Sequence, residues 1–373
     1  MSTASTPIAL LTPDDPDWES WLEPIRRDIY HTAGYHAYAQ GTGEGVPHLI
    51  VVGDRRRGLA WPYLLRDVTD VPGLGGSGCR DVHSVYGYPG PLAWGCDGDD
   101  DFVQMAWTEI QGVWREQRAV AAFTRFHPLL GNAELARAFR VPPIGEEPSD
   151  PVRPGGWTVS VDLTIGYEAA RAAYARDIRR EVDQSRRAGL TVSVDEDWAE
   201  LSTFARLYND TMTRLGAAAF YFFDLDDFRR LRDSLPGHVH LLVTRSGDQV
   251  ASAGLFMDWG DIVEWYLVGT DAAFQALSPS KVLVDFAIGW AYERGHAVLH
   301  MGGGRGGRDD SLFWFKSRFS PRRHEFHTGR WVLDPTRYQE LTAARRAALG
   351  PAATQEPTFF PAYRASAVAP ADG

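Results

Sequence analysis

Runs of apolar residues, separated by glycine, proline and charged turns, divide the chain into short strands and amphipathic helices. In the first half, Leu49–Val52 and Leu59–Leu65 flank a basic turn at 54–58, which predicts a β-hairpin. Val120–Arg125 predicts a further strand. In the second half, the same signals predict strands at Trp157–Leu163, Leu190–Val194, Val239–Thr244, Val250–Asp258, Asp261–Gly269 and 297–301, then at Arg323–His327 and Trp331–Leu333.

Between these strands, apolar side chains recur every three or four residues, which predicts helices that bury one face. The predicted helices are Phe102–Gln117, Tyr167–Ala188, Trp198–Leu215, Asp226–Leu235, Ser280–Arg294 and Tyr338–Ala348. Because hairpins join most of the strands, the order of elements predicts an α/β (α+β) fold with mixed, mostly antiparallel sheets flanked by helices.

A segment rich in proline and glycine, 141–156, interrupts this order and predicts a linker between two domains. A length of 373 residues also favours two domains. We expect an N-terminal domain at 1–150 and a second domain at 156–333. The remaining residues, 334–373, are expected to form a terminal helix and a tail that dock back on the first domain.

A glycine-rich turn follows the strand predicted at 297–301. Gly302, Gly303, Gly304, Gly306 and Gly307 supply a backbone that can adopt unusual conformations. Asp309, Asp310 and Ser311 then predict the N-terminal cap of a short helix that carries Phe313, Phe315, Lys316 and Phe319.

Lysine is rare in this chain, and one of the lysines lies on that short helix. Of 38 Lys and Arg residues, only Lys281 and Lys316 are lysine, so the other 36 are arginine. A compact ammonium can enter a narrow site that the planar guanidinium cannot. Lys316 is therefore a candidate for stabilising an oxyanion at a reaction centre. An ordinary exposed lysine remains the alternative.

Composition and charge exclude several classes of protein. A net charge of −11 argues against a general nucleic-acid coat but permits a local basic groove. Two cysteines, Cys79 and Cys96, do not indicate a disulfide framework, and no spacing predicts a metal site. His324 and His327 fit a strand better than a metal centre. With no signal peptide and no apolar run of about 20 residues, we expect a cytoplasmic protein without a membrane span.

The order of elements in the second half resembles a GNAT acyltransferase domain. In that superfamily, the turn after the strand at 261–269 binds the pyrophosphate of coenzyme A. Here Ser278 and Ser280 replace two glycines, and Pro279 has no amide N–H to donate, so this turn argues against acetyl-CoA as a cofactor. The motifs more closely resemble the Fem family, tRNA-dependent aminoacyltransferases with tandem GNAT-like domains. The motifs lie at Tyr86–Pro91, Arg176–Arg180, Leu207–Arg214, Tyr266–Gly269, Leu277–Ser280 and Phe315–Phe319.

This resemblance implies two tandem GNAT-like domains, here without a coiled-coil arm, and no cofactor. The implied reaction joins an aminoacyl group from aminoacyl-tRNA to the amine of a peptide-like, cell-wall-precursor or natural-product acceptor. Lys316 matches the family's catalytic lysine. The implied substrate-binding residues are Tyr86, Tyr88, Arg214, Tyr266, His300, Arg305 and Phe315, and the implied RNA contacts are Arg176, Arg179 and Arg308.

Purely structural roles remain open as alternatives for several of these residues. The arginine-rich helix also fits a solvated face on which charges pair, and the two tyrosines also fit ordinary packing. Two other functions remain as alternatives to the Fem-like one. The first is a CoA-dependent GNAT N-acyltransferase, and the second is a degenerate GNAT-like binding protein.

Overall fold

The computed structural model describes residues 6–139, 150–350, 354–355, 359–365 and 367–368. The chain divides into two compact units. Unit 1 comprises Met1–Gly155 together with Phe326–Gly373, and unit 2 comprises Gly156–Glu325. Residues 140–149, which form most of the predicted linker, lie outside the described residues.

Unit 1 contains a mixed sheet with helices. Its strands are β1 Ile8–Leu11, β2 Val46–Gly53, β3 Gly58–Asp67, β4 Arg80–His83, β5 Leu92–Trp94, β6 Ala119–Arg125 and the last part of β13 Arg323–Val332. Its helices are α1 Asp17–Leu22, α2 Ala33–Gly41, α3 Asp100–Glu116, α4 Asn132–Arg137 and α11 Pro335–Leu349. The strand order is β1-β2-β3-β4-β6-β13, with β5 paired to β3.

Unit 2 contains a sheet of the same kind. Its strands are the larger part of β7 Val152–Asp162, β8 Leu190–Val194, β9 Val239–Ser246, β10 Gln249–Trp259, β11 Ile262–Thr270 and β12 Val298–Gly303. Its helices are α5 Tyr167–Ala172, α6 Arg176–Arg187, α7 Leu201–Arg214, α8 Leu225–Ser234, α9 Pro279–Glu293 and α10 Ser311–Ser317. The strand order is β8-β9-β10-β11-β12-β7.

The two sheets share one topology. Each begins with four antiparallel strands in chain order, β1 to β4 in unit 1 and β8 to β11 in unit 2. In each, the fourth strand pairs in parallel with the strand that follows a long helix, β4 with β6 and β11 with β12. A parallel pair requires a crossover, which α3 and α9 supply. This repeat confirms the predicted fold of two GNAT-like domains in tandem.

Tryptophan fills the main core of unit 1, where α3 packs on the sheet. Trp61, Trp107, Trp114 and Trp331 are almost fully buried and contact one another through their rings. A second cluster forms beneath α11, where Leu341 and the fully buried Tyr363 of the tail pack with apolar residues of the 68–79 segment and β6. The four tryptophans of the main core account for part of the tryptophan richness of the sequence.

The core of unit 2 forms between the sheet and the helices α6 and α9. It also encloses the carboxylate group of Asp285 on α9, which is fully buried. Arg171 and Arg186 both pair with this carboxylate, and the hydroxyl of Tyr167 donates to it at 3.2 Å. Since a buried charge is stable only when it is paired, part of the arginine-rich segment serves the core.

Two predicted elements differ from the structure. The helix predicted at Tyr167–Ala188 is broken, because Ala175 is extended and its amide donates to the carbonyl of Arg318. The strands predicted at Arg323–His327 and Trp331–Leu333 are one strand, β13. The boundary of the units falls within this strand, so residues 326–333, predicted to belong to the second domain, lie in unit 1. No helix among the described residues has the length and apolar character to cross a bilayer.

Candidate active site

The candidate site of unit 2 lies where β11 and β12 separate. The two strands pair in parallel only over Ile262–Glu264 and Val298–His300. Each strand then carries a bulge, with Tyr266 as the extra residue in β11 and Met301 as the extra residue in β12. Bulges bend strands and redirect side chains, so they account for the divergence of this pair.

Glu264 and His300 are the last residues that face each other before the strands separate. His300 Nδ1 lies 2.8 and 2.9 Å from the two carboxylate oxygens of Glu264. Both side chains are buried. A carboxylate at this distance keeps the proton on Nδ1 and leaves Nε2 as the basic nitrogen of the ring. The pair is thus a carboxylate–histidine dyad inside the sheet.

The glycine turn connects β12 to α10 and is fixed by Asp310. One oxygen of Asp310 accepts hydrogen bonds from the amides of Leu312 and Phe313, which caps the helix. The other oxygen accepts from the backbone and the guanidinium of Arg305. Of the three residues predicted to cap the helix, Asp309, Asp310 and Ser311, it is Asp310 that forms the cap.

Lys316 points from α10 back onto this turn. Its Nζ donates to the carbonyl of Gly303 at 2.8 Å and lies 5.2 Å from the centre of the Trp265 ring. The side chain is only 8% exposed. Burial lowers the pKa of Lys316 to about 8, although the negative charges of Glu264 and Asp310 act in the opposite direction. Lys316 is therefore a partly desolvated ammonium with N–H groups beyond the one that Gly303 accepts.

Gly302 allows this approach. Its φ of +69° is a conformation that residues with a side chain rarely adopt, and a Cβ there would lie 3.4 Å from Nζ of Lys316. Phe315 lies beside Lys316 on α10, with its ring 6.1 Å from that of Trp265. The Trp265 ring thus lies beside the ammonium, and the Phe315 ring lies beside Trp265.

The structure brings some predicted residues of unit 2 together and leaves others apart. Lys316, His300 and Phe315 lie around the diverging strands, and Tyr266 is half-buried at the bulge. Arg214 is exposed at the end of α7, where its guanidinium donates to the carbonyl of Thr270 at the end of β11. Thr270 is four residues beyond Tyr266, or about 13 Å along a strand.

The predicted arginine contacts are distributed over two surfaces. Arg305 and Arg308 lie in the glycine turn and are exposed, and Arg308 donates to the carbonyl of Arg305. Arg176 is exposed and Arg179 is half-buried on α6. Within the residues that the structure describes, neither of these two α6 guanidinium groups has a carboxylate partner.

Tyr86 and Tyr88 lie in unit 1, on a loop that a buried polar network holds. His31 Nε2 and Asn132 Nδ2 both contact the carbonyl of Pro89, at 2.8 and 2.7 Å. His127 Nε2 in turn lies 2.9 Å from a carboxylate oxygen of Asp28. Both tyrosines are half-buried, and the ring of Tyr88 contacts Tyr30, His127 and Phe326. The network thus fixes the backbone of this loop at Pro89.

The N-terminus of α9 corresponds to the place where a GNAT domain binds the pyrophosphate of CoA. Here the carboxylate of Glu181, from α6, accepts a hydrogen bond from Ser278 Oγ at 3.0 Å and pairs with Lys281 Nζ. Pro279 is the first residue of the helix and has no N–H. A helix N-terminus attracts anions, but this one already holds an internal carboxylate. A pyrophosphate bound at this helix N-terminus would have to displace that carboxylate.

Sequence reasoning missed two residues that define these arrangements, Glu264 and Glu181. Glu264 left a signal, because it is a single acid within the apolar strand Ile262–Thr270, and a buried acid in such a strand requires a partner. Glu181 gave no such signal in the sequence, since it lies among alternating charges on an arginine-rich helix. Lys281, the second rare lysine, is explained by its ion pair with Glu181.

Comparisons with known proteins bear on the fold and on the class of protein. Residues 172–310 match the family model for an acetyltransferase (GNAT) domain. No curated protein matches the sequence. Solved structures resemble it at the level of fold. The crystal structure of FemX is 14% identical with a TM-score of 0.66, and the match covers 90% of this chain and 99% of FemX.

Two further structures extend the comparison. A conserved protein of unknown function from Bacteroides thetaiotaomicron is 6% identical with a TM-score of 0.51, over 87% of this chain and 99% of that one. A C-terminal DUF2156 domain of the lysylphosphatidylglycerol synthetase type from Agrobacterium fabrum is 16% identical with a TM-score of 0.50, over 79% and 87%. The GNAT match over residues 172–310, together with the fold, supports an acyltransferase of the GNAT superfamily. Within that superfamily its fold is Fem-like, as the sequence motifs predicted.

Proposed function

We propose that this acyltransferase forms an amide bond between an aminoacyl group, delivered by aminoacyl-tRNA, and the amine of an acceptor. The acceptor would be a peptide-like molecule, a cell-wall precursor or an intermediate of a natural product. The observation that carries the proposal is the buried ammonium of Lys316, held at the point where β11 and β12 diverge.

An aminoacyl ester is already activated, so the enzyme has to align the amine and stabilise the charge that develops on the ester carbonyl oxygen. The amine nitrogen attacks the carbonyl carbon, and a tetrahedral intermediate forms with its negative charge on that oxygen. The ammonium of Lys316 would donate a charged hydrogen bond to it, in a site with little water to screen the interaction. Collapse of the intermediate breaks the bond to the ribose oxygen, which leaves with a proton.

The proton lost by the attacking amine needs an acceptor. His300 is a candidate, because Glu264 holds a proton on Nδ1 and stabilises the imidazolium that would form. Direct transfer from the amine to the leaving ribose oxygen is the alternative that needs no protein base. The two routes differ in their dependence on Glu264, which makes this residue the informative one to change.

A donor other than CoA is favoured by the turn before α9. Glu181 would repel a pyrophosphate, and its ion pair with Lys281 would have to open first. A CoA-dependent N-acyltransferase remains the second candidate, because the family model that matches residues 172–310 describes acetyltransferases. Among the predicted RNA contacts, Arg176, Arg179 and Arg308 have side chains that reach solvent, which supports their proposed role.

The proposal is tested by incubating the protein with a mixture of charged tRNAs and candidate amines, and by detecting amide products by mass spectrometry. A parallel calorimetric titration with acetyl-CoA tests the second candidate. Product from charged tRNA without acetyl-CoA binding supports the proposal. Tight binding of acetyl-CoA, with transfer of its acetyl group, would replace the first candidate by the second.

The two lysines offer a matched pair of variants. Lys316→Arg keeps the charge but replaces the compact ammonium with a wide, planar guanidinium, so transfer should fall. Lys281→Arg makes the same exchange at an ion pair outside the site and should leave transfer near the original rate. Equal rates in both variants would remove Lys316 from the mechanism.

A further inference from the structure

Unit 1 has its own counterpart of the place where the parallel strands separate. His83 of β4 and Phe123 of β6 are the last facing residues of that parallel pair, as Glu264 and His300 are in unit 2. The amide of Ser84 donates to the carbonyl of Phe123, and Ser84 Oγ accepts from the amide of Arg125. Ligands commonly bind outside the carboxyl ends of parallel strands, which is where Arg125 lies.

The guanidinium of Arg125 lies near two aromatic rings. Its Cζ is 5.7 Å from the centre of the Phe123 ring and 6.0 Å from that of Tyr86. The side chain is half-buried. Among the residues that the structure describes, its guanidinium has neither a hydrogen-bond acceptor nor a carboxylate partner. A guanidinium that lies near aromatic rings can still offer the N–H donors at its edge to a ligand.

The neighbouring arginines are different, because each already has a partner. Arg66 Nε donates to Asp81 at 2.9 Å, and Arg364 pairs with both Asp81 and Asp70. Among the described residues of this cluster, Arg125 is thus the arginine without an ion pair. Burial raises the pKa of the Glu44 carboxyl group, and the positive charge of Arg125 is close enough to lower it in part.

We propose that Arg125 binds a single carboxylate of the acceptor, with the rings of Tyr86 and Phe123 packing against the acceptor chain beside it. This inference rests on the proposed function, since it assigns the amine-bearing substrate to unit 1. It adds that the acceptor carries a carboxylate as well as an amine. The planar fork of arginine matches the two oxygens of a carboxylate in a bidentate pair.

A carboxylate suits the cluster better than a phosphate. Within this cluster, and among the described residues, Arg125 is the one guanidinium without an ion pair, and the carboxyl group of Glu44 lies near it. A dianion would therefore meet one cation and a neighbouring group that can carry a negative charge. A monoanion balances the single charge of Arg125. His83 does not add a cation, because burial and the surrounding arginines hold its pKa well below the usual value.

Binding can be measured without any donor. The protein is labelled with ¹⁵N-arginine, and the Nε–Hε signal of Arg125 is assigned by its loss in Arg125→Lys. The probes are acetate, inorganic phosphate, the dipeptide alanyl-alanine and its C-terminal amide, at matched ionic strength. We expect acetate and alanyl-alanine to shift the Arg125 signal and the amide to leave it in place.

The same titration contains the outcomes that would overturn the inference. Equal shifts with alanyl-alanine and its amide would show that the carboxylate is not what Arg125 recognises. A shift with phosphate but none with acetate would reassign the cluster to phosphate. Arg80→Gln is the matched control, because Arg80 lies at the opposite end of β4 and pairs with Asp67 on the surface. Its spectrum should respond to the probes as the original protein does.

Transfer assays separate this inference from the proposed function. With an acceptor that the protein uses, Arg125→Gln should raise KM about 10–100-fold and change kcat little, as expected for loss of one charged hydrogen-bonded contact. If transfer fails with every donor while the carboxylate titration succeeds, the proposed function is wrong and the site stands. If transfer proceeds with an unchanged KM in Arg125→Gln, the site is wrong and the proposed function stands.

Discussion

Replacing Lys316 with methionine should stabilise the protein while it impairs transfer. The ammonium is buried, and this lowers its pKa from 10.5 to about 8. At about 1.4 kcal/mol per pH unit, that difference corresponds to about 3 kcal/mol of destabilisation while the lysine is charged. Methionine removes this cost but leaves the carbonyl of Gly303 without its donor, at about 1–2 kcal/mol. The net gain at pH 7 is about 1–2 kcal/mol.

The gain should depend on pH in a defined direction. Because the pKa of Lys316 is lower in the folded state than in the unfolded state, the unfolded state binds more protons between pH 8 and 10.5. Within that window the original protein gains stability as the pH rises, whereas the methionine variant does not. The advantage of Lys316→Met is therefore full below pH 8 and shrinks as the pH approaches 10.5.

Differential scanning calorimetry at pH 7 and at pH 10 measures both effects. A gain of 1–2 kcal/mol corresponds to a rise in Tm of about 2–8 °C for a unit of this size. Lys281→Met is the control, since its ion pair with Glu181 is partly exposed and such pairs contribute little. A lower Tm for Lys316→Met at pH 7, or a difference that is the same at both pH values, would refute the reasoning.

Three further changes test other parts of the site. Glu264→Gln should slow transfer about 10–100-fold if His300 accepts the proton, and leave it unchanged if the substrates exchange the proton directly, as single-turnover rates would show. Gly302→Ala forces a side chain into a left-handed conformation beside Lys316, so it should lower stability by about 1 kcal/mol or more in denaturant titrations, with slower transfer. Glu181→Ala should increase binding of acetyl-CoA by calorimetry if that carboxylate keeps pyrophosphate out, and no increase would show that other features exclude it.

Local signals in the sequence were sufficient for most of the fold. The β2–β3 hairpin, α3 and the strands of unit 2 follow from patterns that depend only on neighbours along the chain. The Asp310 cap and the helix that carries Lys316 are local in the same sense. The break in the helix predicted at Tyr167–Ala188 could not be foreseen, because it depends on a hydrogen bond from Ala175 to Arg318, which is far away in the sequence.

The sequence by itself determined the tandem GNAT-like fold and singled out Lys316, because both depend on composition, order and spacing. Only the tertiary structure decided what surrounds that lysine. Strand register placed Glu264 opposite His300, and α6 brought Glu181 to the start of α9. The parallel ends of β4 and β6 left Arg125 near two aromatic rings. These contacts join residues distant in the chain, and pairing across a sheet is fixed by the packing of the whole unit rather than by any local pattern.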